Sequence, residues 1–155
     1  MDKAQNGAQI AEGMKEFPLR SPAEKVGGIV YFGRMLDKIR LHAKGELPGD
    51  YQPNLGKGFD GRCIAFLGIN YNDLIGRVKE GGSDEEILDW CFEKGRKPSN
   101  QEIEVWNGFM RKRGWNDEAA ETLARRKKES GFSDRIEIQT LFNYIDADEG
   151  RKLRN

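Results

Sequence analysis

The segment Ser83-Asp84-Glu85-Glu86-Ile87-Leu88-Asp89-Trp90-Cys91, with Gly95 just beyond it, spells out a helix whose two ends are both marked. Ser83 and Glu86 have the S-x-x-E spacing of a capping box, in which each side chain takes the other residue's free backbone N–H. Ile87, Leu88, Trp90 and Cys91 follow as the apolar side, and Gly95 is a stop. The pattern repeats at once. Ser99 and Glu102 form a second box, Ile103, Trp106, Phe109 and Met110 recur at spacings of three and four, and Gly114 closes the segment.

Outward from this pair the same signals continue. On the C-terminal side, Asn116 is expected to open a helix with Ala119, Ala120, Leu123 and Ala124 on its small-residue face and Gly131 as its end. A last helix carries Ile138, Leu141, Phe142 and Ile145. On the N-terminal side, Asn70 caps a helix with Leu74, Ile75 and Val78, stopped by Gly81, and a short apolar helix runs from about Gly61 to Leu67. Ile29, Phe32, Leu36, Ile39 and Ala43 form one helical stripe, with Pro22 in the first turn of a helix begun near Ser21 and Gly45 as its stop. Gly27 and Gly28 fit poorly inside that helix. The helix therefore begins after them, or a neighbouring backbone approaches there. No strand is expected, since Ile136 and Ile138 alone do not make a sheet. The fold class predicted is all-α, a compact single-domain bundle of about six short helices with one long Gly/Pro-rich loop at residues 45–62. Residues 1–18 are expected to form a flexible arm and 19–155 the helical domain.

Composition narrows the function classes. The 155 residues hold 26 Lys plus Arg and 26 Asp plus Glu, so neither the basic excess of a nucleic-acid module nor a polybasic membrane binder shows globally. Mean hydropathy is −0.78, but 8 Phe, 4 Tyr and 3 Trp can anchor a core against disorder. Two cysteines make no disulfide scaffold, and one histidine excludes a multi-histidine metal site. No apolar run approaches a membrane span, and residues 1–16 lack the apolar core of a signal peptide. The expected location is the cytoplasm.

The chemistry-bearing residues gather around the 45–62 stretch. Gly56-Lys57-Gly58-Phe59-Asp60-Gly61 matches G-x-G-x-x-G, but the strand and βαβ unit that a dinucleotide site needs are not in view. What survives is a glycine-rich backbone leading into a helix N-terminus, which can hold an anion, with Lys57 and Arg62 beside it. Arg34, Asp37, Lys38 and Arg40 lie on the helix leading into this stretch, either as a surface salt-bridge set or as a charged wall completed by Tyr51 and Asp60. His42 and Cys63 could pair for thiol chemistry, though Cys63 beside Ile64 and Phe66 reads as a packed small hydrophobe. Arg111 to Arg113 and Arg125 to Lys128 end helices, where cations complement the dipole. They could also contact phosphates. Asp146, Asp148 and Gly150 resemble a calcium loop without its closing Glu.

Leu19-Arg20-Ser21-Pro22, Gly27-Gly28, Gly33-Arg34-Met35-Leu36-Asp37-Lys38, Phe66-Leu67-Gly68-Ile69, Ser83 to Trp90, and Glu102-Ile103-Glu104-Val105-Trp106-Asn107 stand in an order that resembles a bacterial family of uncharacterised proteins, domain of unknown function 5069. The resemblance runs from about residue 19 to 146. It implies a small, cytosolic, single-domain protein and transfers no catalytic residue.

The expected function is therefore a non-catalytic binding or interaction module. It would take a small anionic ligand or a protein partner at the first helix and the 45–62 loop, through Arg34, Asp37, Lys38, Tyr51, Lys57, Asp60 and Arg62. The alternative is a small metal-independent enzyme using Asp37 or Asp60 as acid–base. Weak nucleic-acid binding through the basic helix ends ranks third. No cofactor, metal or membrane is expected, and the chain is a monomer or homodimer.

Overall fold

The computed structural model describes residues 17–153. Most of the expected arm, residues 1–16, lies outside this range. A two-stranded antiparallel sheet, β1 (Lys25–Val26) and β2 (Ile29–Val30), pairs Lys25 with Val30 and Val26 with Ile29. Seven α-helices follow: α1 (Phe32–Ala43), α2 (Phe59–Leu67), α3 (Tyr71–Lys79), α4 (Asp84–Lys94), α5 (Asn100–Lys112), α6 (Ala120–Glu129) and α7 (Leu141–Asp148). A 3₁₀ helix covers Gly49–Asn54. The described residues are thus mostly helical, as expected, with a small sheet that was not.

That sheet corrects the reading of residues 21–31. Gly27 and Gly28 adopt φ of 56° and 80°, and two successive positive-φ residues close a two-residue hairpin of the type whose twist matches its strands. The apolar stripe from Ile29 was therefore two elements in succession. Ile29 and Val30 are both buried on two-residue strands, too short to display the alternation that betrays a strand. The helix proper starts at Phe32 and stops as expected, with Gly45 at φ 72° just beyond it.

The capping signals are where the sequence puts them. Glu86 N–H donates to Ser83 Oγ at 3.1 Å and Ser83 N–H to Glu86 Oε1 at 2.9 Å. The Ser99–Glu102 box has the same form at 3.2 and 2.8 Å. Asn70 accepts from Asp73 N–H and so opens α3. Two boundaries move. The expected irregular stretch 45–62 is divided by the 3₁₀ helix, and α2 begins at Phe59 rather than near Gly61. The helix expected from Asn116 begins at Ala120, because the Asp117 carboxylate takes the N–H groups of Gly114 and Ala119 and holds a turn there.

The chain divides into two compact units, residues 24–106 and residues 107–153 with the 17–23 segment. In the first, α1 packs on α3 and β1, and α4 packs on α3 and β1. Met35, Leu36, Leu67, Leu74 and Ile87 are fully buried. Trp106 stacks on Phe66 with centroids 4.7 Å apart, and its indole N–H donates to the Val30 carbonyl. In the second, α6 packs on α7, and Leu19, Met110, Ile138 and Phe142 are buried. Ser21 donates to Asp146 Oδ2 at 3.0 Å. Arg151 binds Asp146, Glu149 and the Leu19 carbonyl, which ties the 17–23 segment to the end of α7.

Candidate functional site

Tyr31, Arg34 and Lys38 are spaced three and four residues apart, which aligns them on one side of α1 and the residue leading into it. Arg34 and Lys38 are buried, at 3% and 5% exposure. A buried cation is expensive unless paired and hydrogen-bonded, so its partners define the site. Lys38 Nζ donates to Asp60 Oδ1 at 3.1 Å and lies 3.5 Å from the Tyr31 hydroxyl. The Tyr31 hydroxyl donates to the same carboxylate oxygen at 2.6 Å. Gly56 N–H donates to the other oxygen, Oδ2, at 3.0 Å. Asp60 has no solvent exposure. One carboxylate in the first turn of α2 therefore joins the hairpin exit, α1 and the glycine-rich connection.

Local sequence explains how each group arrives. Gly56, at φ 74°, turns the chain beneath the Tyr71 ring, where a Cβ would lie 2.9 Å from a ring carbon. The turn aims its N–H back at Asp60. Tyr31 stands at the N-cap of α1, its carbonyl accepting Met35 N–H at 3.0 Å, with φ 76° and ψ −30°. That backbone is strained for a bulky residue. Its ring meets Phe59 edge-on at 5.6 Å between centroids.

The surroundings fix protonation. Burial pushes the Tyr31 phenol well up, the Asp60 charge adds to this, and Arg34 pulls the other way. Tyr31 therefore stays a proton donor to Asp60. Tyr71 is pushed up to about 12 by partial burial and then by Asp60. Burial likewise raises the Cys63 thiol, followed by Asp60 and Cys91. A buried, protonated thiol is inert, and His42 is exposed at the end of α1, so this pair does not have the form of a nucleophile and its base.

The residues singled out from sequence divide into three groups. Lys38 and Asp60 are ion-paired at 3.1 Å. Arg34 lies 5.8 Å from the centre of the Tyr51 ring. Lys57 and Arg62 are exposed and flank the N-terminus of α2, and Asp37 is half-buried on α1. Sequence reasoning missed Tyr31, Tyr71 and the Gly56 N–H. Tyr31 had a legible signal, its three-and-four spacing to Arg34 and Lys38, which the reading of the sequence did not use.

Other candidate chemistry is taken up by structure. Asp146, first residue of the calcium-like spacing, has both carboxylate oxygens engaged by Ser21 and Arg151. No group of three or more metal-ligating side chains lies together among the described residues. In the basic helix ends, Arg113 binds Asp117 and Glu118, Arg125 lies near Glu129, and Lys127 donates to the Arg135 and Ile138 carbonyls. No described helix is long and apolar enough to cross a membrane.

Comparison with known proteins agrees with the order of motifs. The family model for a domain of unknown function, DUF5069, matches residues 16–151. No curated protein matches the chain.

Proposed function

Starting from the chain's membership of the DUF5069 family, a match that brings no activity with it, we propose that this protein is a binding module that holds a small anionic ligand where α1 meets the 45–62 segment. The observation that carries the reading is the burial of two cations, Arg34 and Lys38, one turn apart on α1. Buried charge is seldom an efficient route to stability, and here it sits beside a helix N-terminus reached through glycine and flanked by Lys57 and Arg62. The positive end of the helix dipole at such a terminus favours an anion. Tyr51, facing Arg34, and Asp37 complete the wall. Asp60 orients the cluster from within.

The same geometry weighs against the acid–base alternative at Asp60. A general base must reach the proton it takes, whereas Asp60 is enclosed and already accepts three hydrogen bonds. The basic helix ends give nucleic acid less support, since Arg113, Arg125 and Lys127 have intramolecular partners.

The test is titration of the protein with inorganic phosphate and with citrate at low ionic strength, followed through backbone amide resonances. Shifts concentrated at residues 56–62, weakened at least about tenfold in Lys57→Ala/Arg62→Ala (about 1.4 kcal/mol), support the reading. Both substituted side chains are exposed, so the variant retains the fold. Absence of any localised shift with either anion at millimolar concentration overturns it.

A further inference from the structure

The helix α5 runs unbroken from Asn100 to Lys112, and the fold uses one side of it. Trp106 and Met110 are buried there, at 7% and 0% exposure. At about 3.6 residues per turn, the opposite side is centred on Gly108. Glu104, Val105, Arg111 and Lys112 surround that glycine, and all are exposed. Val105 is 71% exposed and Phe109, one turn on, is 40% exposed. Glu104, Arg111 and Lys112 form no ion pair among the described residues. The charges bordering this face are used, since Glu102 pairs with Arg96, and Arg113 pairs with Asp117 and Glu118.

We infer that this face of α5 binds the same face of a second copy of the chain, antiparallel, about a twofold axis beside Gly108. The order of charge along the helix carries the inference. Glu104 lies in the first half and Arg111 in the second, and a separation of one heptad puts them within about 20° of each other around the axis. They stand roughly 10 Å apart along it, so they do not pair within one helix, where partners are three or four residues apart. Reversing a second helix about Gly108 brings its Arg111 level with Glu104, on the same flank, and its Glu104 level with Arg111. A twofold interface repeats every contact, so the dimer gains this pair twice. On the other flank, the same operation lays the Lys112 stem of one copy over Val105 and Phe109 of the other. Its methylenes cover apolar surface there while the ammonium stays in water.

Gly108 fits the crossing point. Glycine inside a helix is costly relative to alanine, and its backbone here is not in the positive-φ region. Nothing lies within 4 Å of the position its Cβ would take. Neither the backbone nor packing within the chain calls for glycine, whereas two helices crossing there approach more closely without a side chain between them. The interface uses none of the residues of the anion reading and stands or falls independently of it.

Sedimentation equilibrium of the full chain at low ionic strength, from about 10 μM to about 500 μM, tests the inference. One helix pair is smaller than the interface of a stable complex, so wild type should pass from the 17.6 kDa monomer to twice that mass in the upper part of the range. Added salt should reverse the change. Glu104→Arg sets arginine against Arg111 at both sites, and Arg111→Glu sets glutamate against Glu104. Each variant alone should dimerise at least about tenfold more weakly. Mixed in equal amounts, the two meet with opposite charges at both sites and should associate as wild type does. Gly108→Gln should abolish the dimer without lowering the melting temperature of the monomer. A monomer mass throughout the wild-type range overturns the inference. So does a dimer that neither single reversal weakens, or a loss of association that mixing the two variants fails to restore.

Discussion

Replacing Asp60 with asparagine keeps the shape of the buried cluster and removes its charge. Two unit charges 3.1 Å apart attract by about 5 kcal/mol at an effective dielectric constant of about 20. Asparagine also presents an amide donor where either Gly56 N–H or the Tyr31–Lys38 pair now donates, so one donor loses its acceptor whichever way the amide turns. Removing one partner of a buried pair costs about 3–5 kcal/mol, and both figures therefore point to a large share of the roughly 5–15 kcal/mol available to a domain. At about 2–4 °C per kcal/mol for a chain of this size, Asp60→Asn should lower the thermal midpoint by about 6–20 °C. Lys38→Met should cost less, because Tyr31 and Gly56 still donate to the carboxylate. The double variant should be more stable than the sum of the two losses implies, by about 1 kcal/mol or more. Urea denaturation of all four proteins completes the cycle. An Asp60→Asn loss below about 1 kcal/mol, the scale of an exposed pair, or strictly additive losses, would refute the claim that these groups form one buried unit.

Two further predictions concern other parts of the chain. The hydrogen bond from Ser83 N–H holds Glu86 below its ordinary 4.5, and that from Ser99 N–H does the same for Glu102. Their contribution is therefore present above 4.5 and lost as pH falls through the lowered native values. Burial raises Asp146 above its ordinary 3.8, with Glu149 adding and Ser21 and Arg151 opposing. Its contribution has the opposite sign, complete below 3.8 and lost as pH rises through the raised native value. Unfolding free energy measured against pH should flatten on the acid side in Glu86→Gln and above 3.8 in Asp146→Asn, and a change of the reverse sign in either variant would contradict the assignment. The glycines offer a contrast in stability. A Cβ on Gly95 would overlap the Leu67 carbonyl oxygen, so Gly95→Ala should cost at least about 1–3 kcal/mol. Gly108 has open space around it in the interior of α5, so Gly108→Ala should add about 0.5–1 kcal/mol. Equal melting temperatures for the two variants would defeat the comparison.

What was legible in the sequence follows from the range of the forces involved. Capping boxes and glycine stops are local, involving residues three or four apart, and α3, α4 and α5 sit where Asn70, Ser83 and Ser99 put them. The hairpin at Gly27–Gly28 was also local, but its strands have two residues each, fewer than any periodicity needs. Lys38 and Asp60 were both recognisable as candidates, yet their partnership spans 22 residues, and no spacing rule encodes it. The spacing of Tyr31 to Arg34 and Lys38 was legible, but its positive φ was not, because a bulky residue gives no sequence sign that it will occupy an angle reserved for glycine.

That last point bears on why the cluster is polar at all. A buried ion pair usually does no better for stability than apolar side chains of the same volume, because desolvation offsets most of the attraction. Stability by itself therefore does not account for Lys38 and Asp60, and still less for placing Tyr31 in strained backbone beside them. An apolar filling could pack the same volume, but it could not hold a hydroxyl at 2.6 Å against a strained φ while receiving a loop N–H on the opposite oxygen. What the carboxylate supplies that hydrocarbon cannot is direction: two lone-pair-bearing atoms fixed toward two different segments. The carboxylate thereby fixes Tyr31 and Lys38 on one oxygen and the Gly56 N–H on the other.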